Sequence, residues 1–157
     1  MYNHAPIDYI CPFCLLVQGV ENEHNSIKQT DLVYQNDQVT SFIGLRKWPN
    51  NVGHVLTIPN EHFENIYDLP IEVSVEIQKT AKAIALAMKE VYSCDGVMLL
   101  QRNEPAGGQR AWHYHLHTIP RNENDNWRLS ERQPFPADER AEYALQLSAK
   151  IGTNYAS

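Results

Sequence analysis

Apolar positions along this chain change period several times, and each change marks an element. Leu32-Val33-Tyr34-Gln35 and Val39-Thr40-Ser41-Phe42-Ile43 flank the turn signal Asn36-Asp37 and predict a β-hairpin. Gly44 to Gly53 contains Pro49-Asn50-Asn51 and reads as a loop. His54-Val55-Leu56-Thr57-Ile58 predicts a third strand, stopped by Pro59. From about Ile71 to Tyr92 the period becomes helical. There Ile77, Ala81, Ile84, Met88 and Val91 recur three or four residues apart and form a core-facing stripe. Asp68-Leu69-Pro70 offers that helix a capping residue and a proline near the first turn. Beyond Gly96, Val97-Met98-Leu99-Leu100-Gln101 predicts a fourth strand, apolar enough to be central.

Asn103 to Arg110 is a polar, glycine-containing loop, and the run from His113 to Ile119 predicts a fifth strand. Asn122 to Pro136 reads as a long polar loop, and a last helix starts at Pro136-Ala137-Asp138-Glu139 and ends near Ile151, before Gly152. Ahead of the hairpin, residues 1–10 are irregular, Leu15-Leu16-Val17 is a short apolar piece, and 18–31 is polar loop. This order suggests an α+β fold with a mostly antiparallel sheet.

Composition narrows the picture. A length of 157 residues fits one domain, and 43% hydrophobic residues excludes a disordered chain. No apolar run approaches the ~20 residues of a membrane span. Met1-Tyr2-Asn3-His4-Ala5-Pro6 lacks the basic and apolar regions of a signal peptide, so a cytoplasmic location is expected. A formal charge of −6 argues against bulk binding of nucleic acid, though not against a single nucleotide in a locally basic pocket. Cys11-Pro12-Phe13-Cys14 is a C-x₂-C pair, read in a reducing compartment as half a zinc site or a redox pair. No βαβ context supports the redox reading, and zinc is favoured. Cys94 reads as a small buried thiol.

The candidate chemistry lies in Trp112-His113-Tyr114-His115-Leu116-His117-Thr118. On a strand, alternate side chains share a face, so the three histidines form one column with neighbours about 6.5–7 Å apart. Imidazoles pack poorly and need partners when buried, so a purely structural column is improbable. His4 and His24, in polar stretches, read as ordinary residues. Two kinds of chemistry remain open on the residues alone. A strand H-x-H with a distant histidine can bind zinc. A neutral imidazole can also attack phosphorus when its far nitrogen donates a tautomer-fixing hydrogen bond. Gly107-Gly108, with no side chains in the way, can bring backbone N–H groups close to the phosphate.

His113-Tyr114-His115-Leu116-His117-Thr118-Ile119 resembles the histidine triad (HIT) motif, His-φ-His-φ-His-φ-φ. Three other blocks resemble the family in its order: Gly53-His54-Val55-Leu56-Thr57-Ile58-Pro59 through His62, the Asn103-Glu104 to Gly108-Gln109 loop, and the Cys11–Cys14 knuckle of zinc-containing bacterial members. The resemblance implies a five-stranded antiparallel sheet with one long central helix and a C-terminal helix, usually in a homodimer. It makes residues 1–157 a single HIT domain, with the knuckle at 11–14, a core at about 32–121 and a C-terminal loop and helix at 122–151.

The activity implied is hydrolysis or transfer at the α-phosphate of dinucleoside polyphosphates or nucleoside phosphoramidates, with an AMP-type product. Carried onto this chain, His115 is the nucleophile, and His117 and His54 contact phosphate oxygens. Gln109 sits near the leaving-group oxygen, and Asn103, Phe42, Gly108 and Arg110 help hold phosphate and ribose. Cys11, Cys14, His62 and His113 become a closed, structural zinc set.

Two departures stand out. Arg110 replaces a usual Ser or Thr, and Gly44 stands where a ribose-binding Asp is usual, in a longer loop. Trp48 and Trp127 are candidates for base stacking, with a packing role the commoner reading. A nucleotide-binding or sensing protein with little turnover is the alternative function. A catalytic ion bound by the triad itself is a third.

Overall fold

The computed structural model describes residues 2–23 and 25–154; His24 lies outside them. Its elements are α1 (Pro12–Val17), a 3₁₀ turn (Gln29–Asp31), β1 (Leu32–Gln35), β2 (Val39–Ile43), β3 (Arg46–Lys47), β4 (Val55–Pro59), α2 (Ile71–Tyr92), β5 (Gly96–Gln101), β6 (Leu116–Arg121), β7 (Gln133–Pro134) and α3 (Ala137–Asn154). Five strands form one sheet in the order β1-β2-β4-β6-β5, and every neighbouring pair is antiparallel. The expected α+β architecture is therefore the observed one. No helix among the described residues is long and apolar enough to cross a membrane.

The β1–β2 turn has a local cause. Asn36 Oδ1 accepts from the N–H groups of Gln38 and Val39, both at 2.9 Å, so the side chain closes the turn itself. Alternation then gives the sheet two apolar faces. Ile43 and Val55 point to one face and meet Ala83, Ile84, Ala87 and Met88 of α2 with Leu147 and Ile151 of α3. Each such large aliphatic side chain contributes roughly 1.5–3 kcal/mol by leaving water. Phe42, Leu56 and Ile58 point to the other face, where Cys11, Phe13, Leu16 and Ile27 of the N-terminal segment cover them. The sheet is thus sandwiched between two long helices and an N-terminal flap.

Four expectations need correction. β5 is an edge strand, not a central one, and Leu99 on it is 46% exposed. An apolar run alone does not distinguish an edge from a centre. Asp68 does not cap α2; Pro70 occupies the N-cap without a side-chain bond. The apolar piece after Cys14 belongs to a helix that already starts at Pro12. The two loops read as irregular, 44–53 and 122–136, meet in a short ribbon where Arg46 pairs with Pro134 and Lys47 with Gln133.

Arg140 of α3 ties the far wall together. It is 5% exposed, and its Nε donates to buried Asp31 Oδ1 at 2.9 Å. Its other nitrogens donate to the carbonyls of Phe135 and Ser26. This pins the polar 18–31 stretch against the sheet, where Asn25, Ser26 and Ile27 line a cavity.

Candidate active site and metal centre

The histidine run is divided by the place where strand pairing begins. Leu116 is the first residue of β6 and faces Thr57 on one side and Gln101 on the other. His113 and His115 therefore precede the paired strand, against the sequence expectation, while His117 lies within it opposite Leu56 and Leu100. A period of two does not reveal where the partner strands run out. The unpaired start lets the His113 ring turn toward the knuckle.

There the ligand atoms of Cys11, Cys14, His62 and His113 all lie within 4.8 Å of one another. Cys11 Sγ is 3.3 Å from His113 Nδ1, Cys14 Sγ is 3.3 Å from His62 Nδ1, and Cys14 Sγ is 3.6 Å from His113 Nδ1. A tetrahedral zinc with bonds of ~2.3 Å to sulfur and ~2.0 Å to nitrogen holds its ligand atoms about 3.5 Å apart. The donor set therefore fits that ion in type and spacing. His113 Nε2 donates to the Pro59 carbonyl at 3.0 Å, leaving Nδ1 free to ligate. All three cysteines are free thiols, and Cys94 is buried in the core beneath α2.

The second centre lies on the other side of Phe13, whose ring packs edge-on against His113 at 5.7 Å and His115 at 5.5 Å. Beyond it opens a cavity of about 360 Å³ lined by His54, His115, His117, Phe42 and Leu56. The His115 and His117 rings are 5.0 Å apart, and His54 and His117 are 5.6 Å apart. His115 Nδ1 lies 2.7 Å from the His113 carbonyl. A carbonyl only accepts, so Nδ1 carries the proton and Nε2 keeps its lone pair.

Burial lowers the pKa of all three rings. His54 is pushed down to about 3, by burial first and then by the charges of Arg132 and His115. His115 falls to about 4, chiefly by burial and against the opposing effect of its bond to the His113 carbonyl. His117 lies well below its ordinary value, by burial first and then by the charges of His115, His54, Arg102 and Arg132. All three are neutral at pH 7. Among the described residues, the buried Nδ1 atoms of His54 and His117 have no hydrogen-bond partner, the mark of a site made for something other than packing.

Six residues expected at the phosphate (His54, His115, His117, Phe42, Gly108 and Arg110) do line the cavity. Gln109 and Asn103 do not. Gln109 is 3% exposed; its Oε1 accepts from the Glu104 N–H, and its Nε2 donates to the carbonyls of Glu64 and Ala111. Asn103 is bound to the Ile66 N–H and to the Gln101 side chain. Both amides are held by hydrogen bonds within and beside the loop. In the glycine loop, the Gly108 N–H donates to the Pro105 carbonyl and the Gln109 N–H to the Glu104 carbonyl.

Arg46, Arg102 and Arg132 join Arg110 at the cavity, and sequence reasoning missed them. Only Phe13, inside the C-x₂-C pair, carried a local hint. Trp48 is buried between His54 and Trp127, so it packs on a site histidine. The His54 ring also fills the space beside Gly44: a Cβ there would stand 2.2 Å from it.

A family model described as the HIT domain matches residues 25–124. The chain belongs to the HIT family. Among curated HIT proteins it is 28% identical over 144 residues to an uncharacterized HIT-like protein of Saccharolobus solfataricus, covering 92% of this chain and 97% of that one. It is 32% identical over 117 residues to the adenosine 5'-monophosphoramidase HNT1 of Saccharomyces cerevisiae, covering 74% and 66%. A zinc-bound histidine triad family protein from Mycobacterium smegmatis superposes with a TM-score of 0.74 at 27% identity, covering 91% and 94% of the two chains. The HIT assignment and the expected fold thus agree.

Proposed function

We propose that this HIT chain is a nucleotide phosphohydrolase or nucleotidyl transferase that works through a covalent nucleotidyl-histidine on His115. The observation that carries the reading is the 2.7 Å bond from His115 Nδ1 to the His113 carbonyl, beside a cavity. It fixes the tautomer that leaves Nε2 nucleophilic. Nε2 attacks the α-phosphorus of a dinucleoside polyphosphate or nucleoside phosphoramidate, and the leaving group departs with its bonding pair. Water or another acceptor then takes the nucleotidyl group, and an AMP-type product leaves. His54 and His117 steady the phosphate oxygens, Phe42 and Gly108 shape the floor, and Arg110 supplies charge. Gln109 and Asn103 act as positioning residues that hold the loop. The relative named as an adenosine 5'-monophosphoramidase supports the substrate class.

In this reading Cys11, Cys14, His62 and His113 hold a zinc ion that ties the N-terminal flap to the sheet. The set offers no open position, so the ion supplies structure. Among the described residues, the only such donor group is this one, and His115 and His117 stand outside it. The whole chain, 1–157, acts as one domain, since α1 and α3 pack on opposite faces of the sheet. A cytoplasmic setting keeps the thiols reduced. A homodimer is the expected assembly, and the open edge of β5 with exposed Leu99 offers it a surface.

The test is His115→Asn against a panel of dinucleoside polyphosphates and nucleoside phosphoramidates. Loss of turnover in a folded variant is expected, whereas full activity would remove His115 as nucleophile. The sensing alternative draws on one observation: both loop amides expected near the leaving group are engaged elsewhere. Tight AMP binding with no turnover across the panel would favour it.

A further inference from the structure

The chain carries a formal charge of −6, yet among the described residues the cavity beside His115 is lined by Arg46, Arg102, Arg110 and Arg132 and by no Asp or Glu. Among the described residues, none of these four guanidiniums has a carboxylate within salt-bridge distance. Their placement is built. The β3–β7 ribbon brings Arg46 and Arg132 together, and an Arg46 guanidinium nitrogen donates to the Arg132 carbonyl at 3.0 Å. The Arg132 guanidinium lies over Trp48 at 5.6 Å, and Trp48 packs on His54 at 5.0 Å. Arg102 and Arg110 flank the glycine loop. A Cβ at Gly108 would come within 3.3 Å of the Arg102 stem, so the glycine leaves that side chain room.

The four charges share one field. Burial first, then the charges of Arg102, Arg46 and Arg110, pull the Arg132 pKa below its ordinary value. Arg102 and Arg132 both act on His117. Like charges gathered in a partly desolvated cleft repel until an anion enters, and such clefts concentrate anions. A bridging α-phosphate carries about one negative charge, so most of this positive charge is left for groups beyond it. Guanidinium forks suit phosphate oxygens in bidentate fashion.

We propose that Arg46, Arg102, Arg110 and Arg132 form an anion subsite that selects substrates whose leaving group is itself a polyphosphate, over those that release a neutral amine. The inference rests on the His115 reading and deepens it. The step balances without a co-reactant other than water. The His115 Nε2 pair forms the bond to the α-phosphorus, and the bond to the bridging oxygen breaks. That oxygen leaves with its pair as the end of a polyphosphate anion held by the arginines. Water then displaces Nε2 from phosphorus, and its proton passes to solvent.

The experiment uses zinc-loaded, full-length protein and compares diadenosine tetraphosphate with adenosine 5'-phosphoramidate. The wild type is expected to prefer the tetraphosphate in kcat/KM. In Arg102→Gln/Arg132→Gln, with an unchanged melting profile, the ratio should fall by about 10-fold or more, as charge-assisted hydrogen bonds are lost. An unchanged ratio, or a wild type that prefers the phosphoramidate, overturns the subsite. If neither compound turns over, the His115 reading fails, and calorimetry with inorganic tripolyphosphate decides the subsite alone. Binding about 10-fold weaker in the double variant upholds it, and equal or absent binding removes it.

Discussion

Two histidine clusters sit back to back across Phe13, and they satisfy their polar atoms in opposite ways. Around the knuckle, His113 Nε2 meets the Pro59 carbonyl and its Nδ1 meets the thiols, so every donor has a place in a closed set. Around the cavity, His54 and His117 each bury an Nδ1 with no partner among the described residues, and arginines that meet no carboxylate among those residues line the same cavity. The first arrangement suits a structural ion. The second leaves interactions to be completed by a ligand. What the contrast teaches is that alternate residues of one motif reach different surroundings: the Phe13 ring packs between His113 on the knuckle side and His115 on the cavity side, and strand pairing starts only after both, at Leu116.

The largest expected effects come from separating neighbours in the motif. His115→Asn should reduce kcat/KM by about 10⁴-fold or more, as removal of a nucleophile does, with zinc content and melting temperature close to wild type. His113→Asn should do the reverse in order: metal analysis should find zinc lost, and melting should fall by several degrees or more before any effect on chemistry is read. Equal losses of zinc and stability in both variants would erase the distinction.

A smaller effect is expected from the floor of the cavity. Gly44→Ala places a methyl group against the His54 ring, 2.2 Å from its atoms, and so displaces the ring. Misplacement of a phosphate contact by about 1 Å should cost roughly 10- to 100-fold in kcat/KM. Zinc content should not change, because His54 is no part of the knuckle. Steady-state kinetics beside metal analysis reads both quantities, and a zinc loss would show that the two clusters are mechanically one.

The mildest test uses pH. His54 is neutral and buried, with its pKa pushed down to about 3. In the unfolded chain it titrates near 6.5, so as pH falls below that value the unfolded state takes up a proton that the folded state refuses. Its stabilising contribution is therefore complete above 6.5 and is lost on acidification toward 3, at about 1.4 kcal/mol per pH unit. For a domain of this size that is roughly 3–6 °C per unit. His54→Asn should flatten the melting temperature against pH by about that much between pH 6.5 and 5. An unaltered slope would mean that this ring is solvated in solution.

Much of this was legible in the chain. The hairpin followed from Asn36 and its flanking runs, and α2 followed from the Ile77, Ala81, Ile84, Met88 stripe; both coincide with the observed bounds. The histidines and the Cys11, Cys14, His62, His113 set were visible from spacing and resemblance, and the structure brings each set together. What stayed hidden depends on distant partners. Arg46 and Arg132 lie in two loops with no shared local signal, and only the two-residue ribbon joins them. Gln109 has the composition of a ligand contact, and its inward turn depends on Glu64 and Glu104 carbonyl and N–H groups that sequence alone does not aim. β5 has the apolar content of a central strand but lacks a neighbour on one side among the described residues.

The central claim, that His115 alone of the three motif histidines forms a bond to phosphorus, meets its most direct test in mass spectrometry of full-length protein quenched during turnover of diadenosine tetraphosphate. The expected result is one adenylyl group per chain on the peptide spanning residues 111–121, located on His115 by fragmentation and absent from His115→Asn. An adenylyl group on His113 or His117, or turnover with no adduct at any quench time, would contradict it.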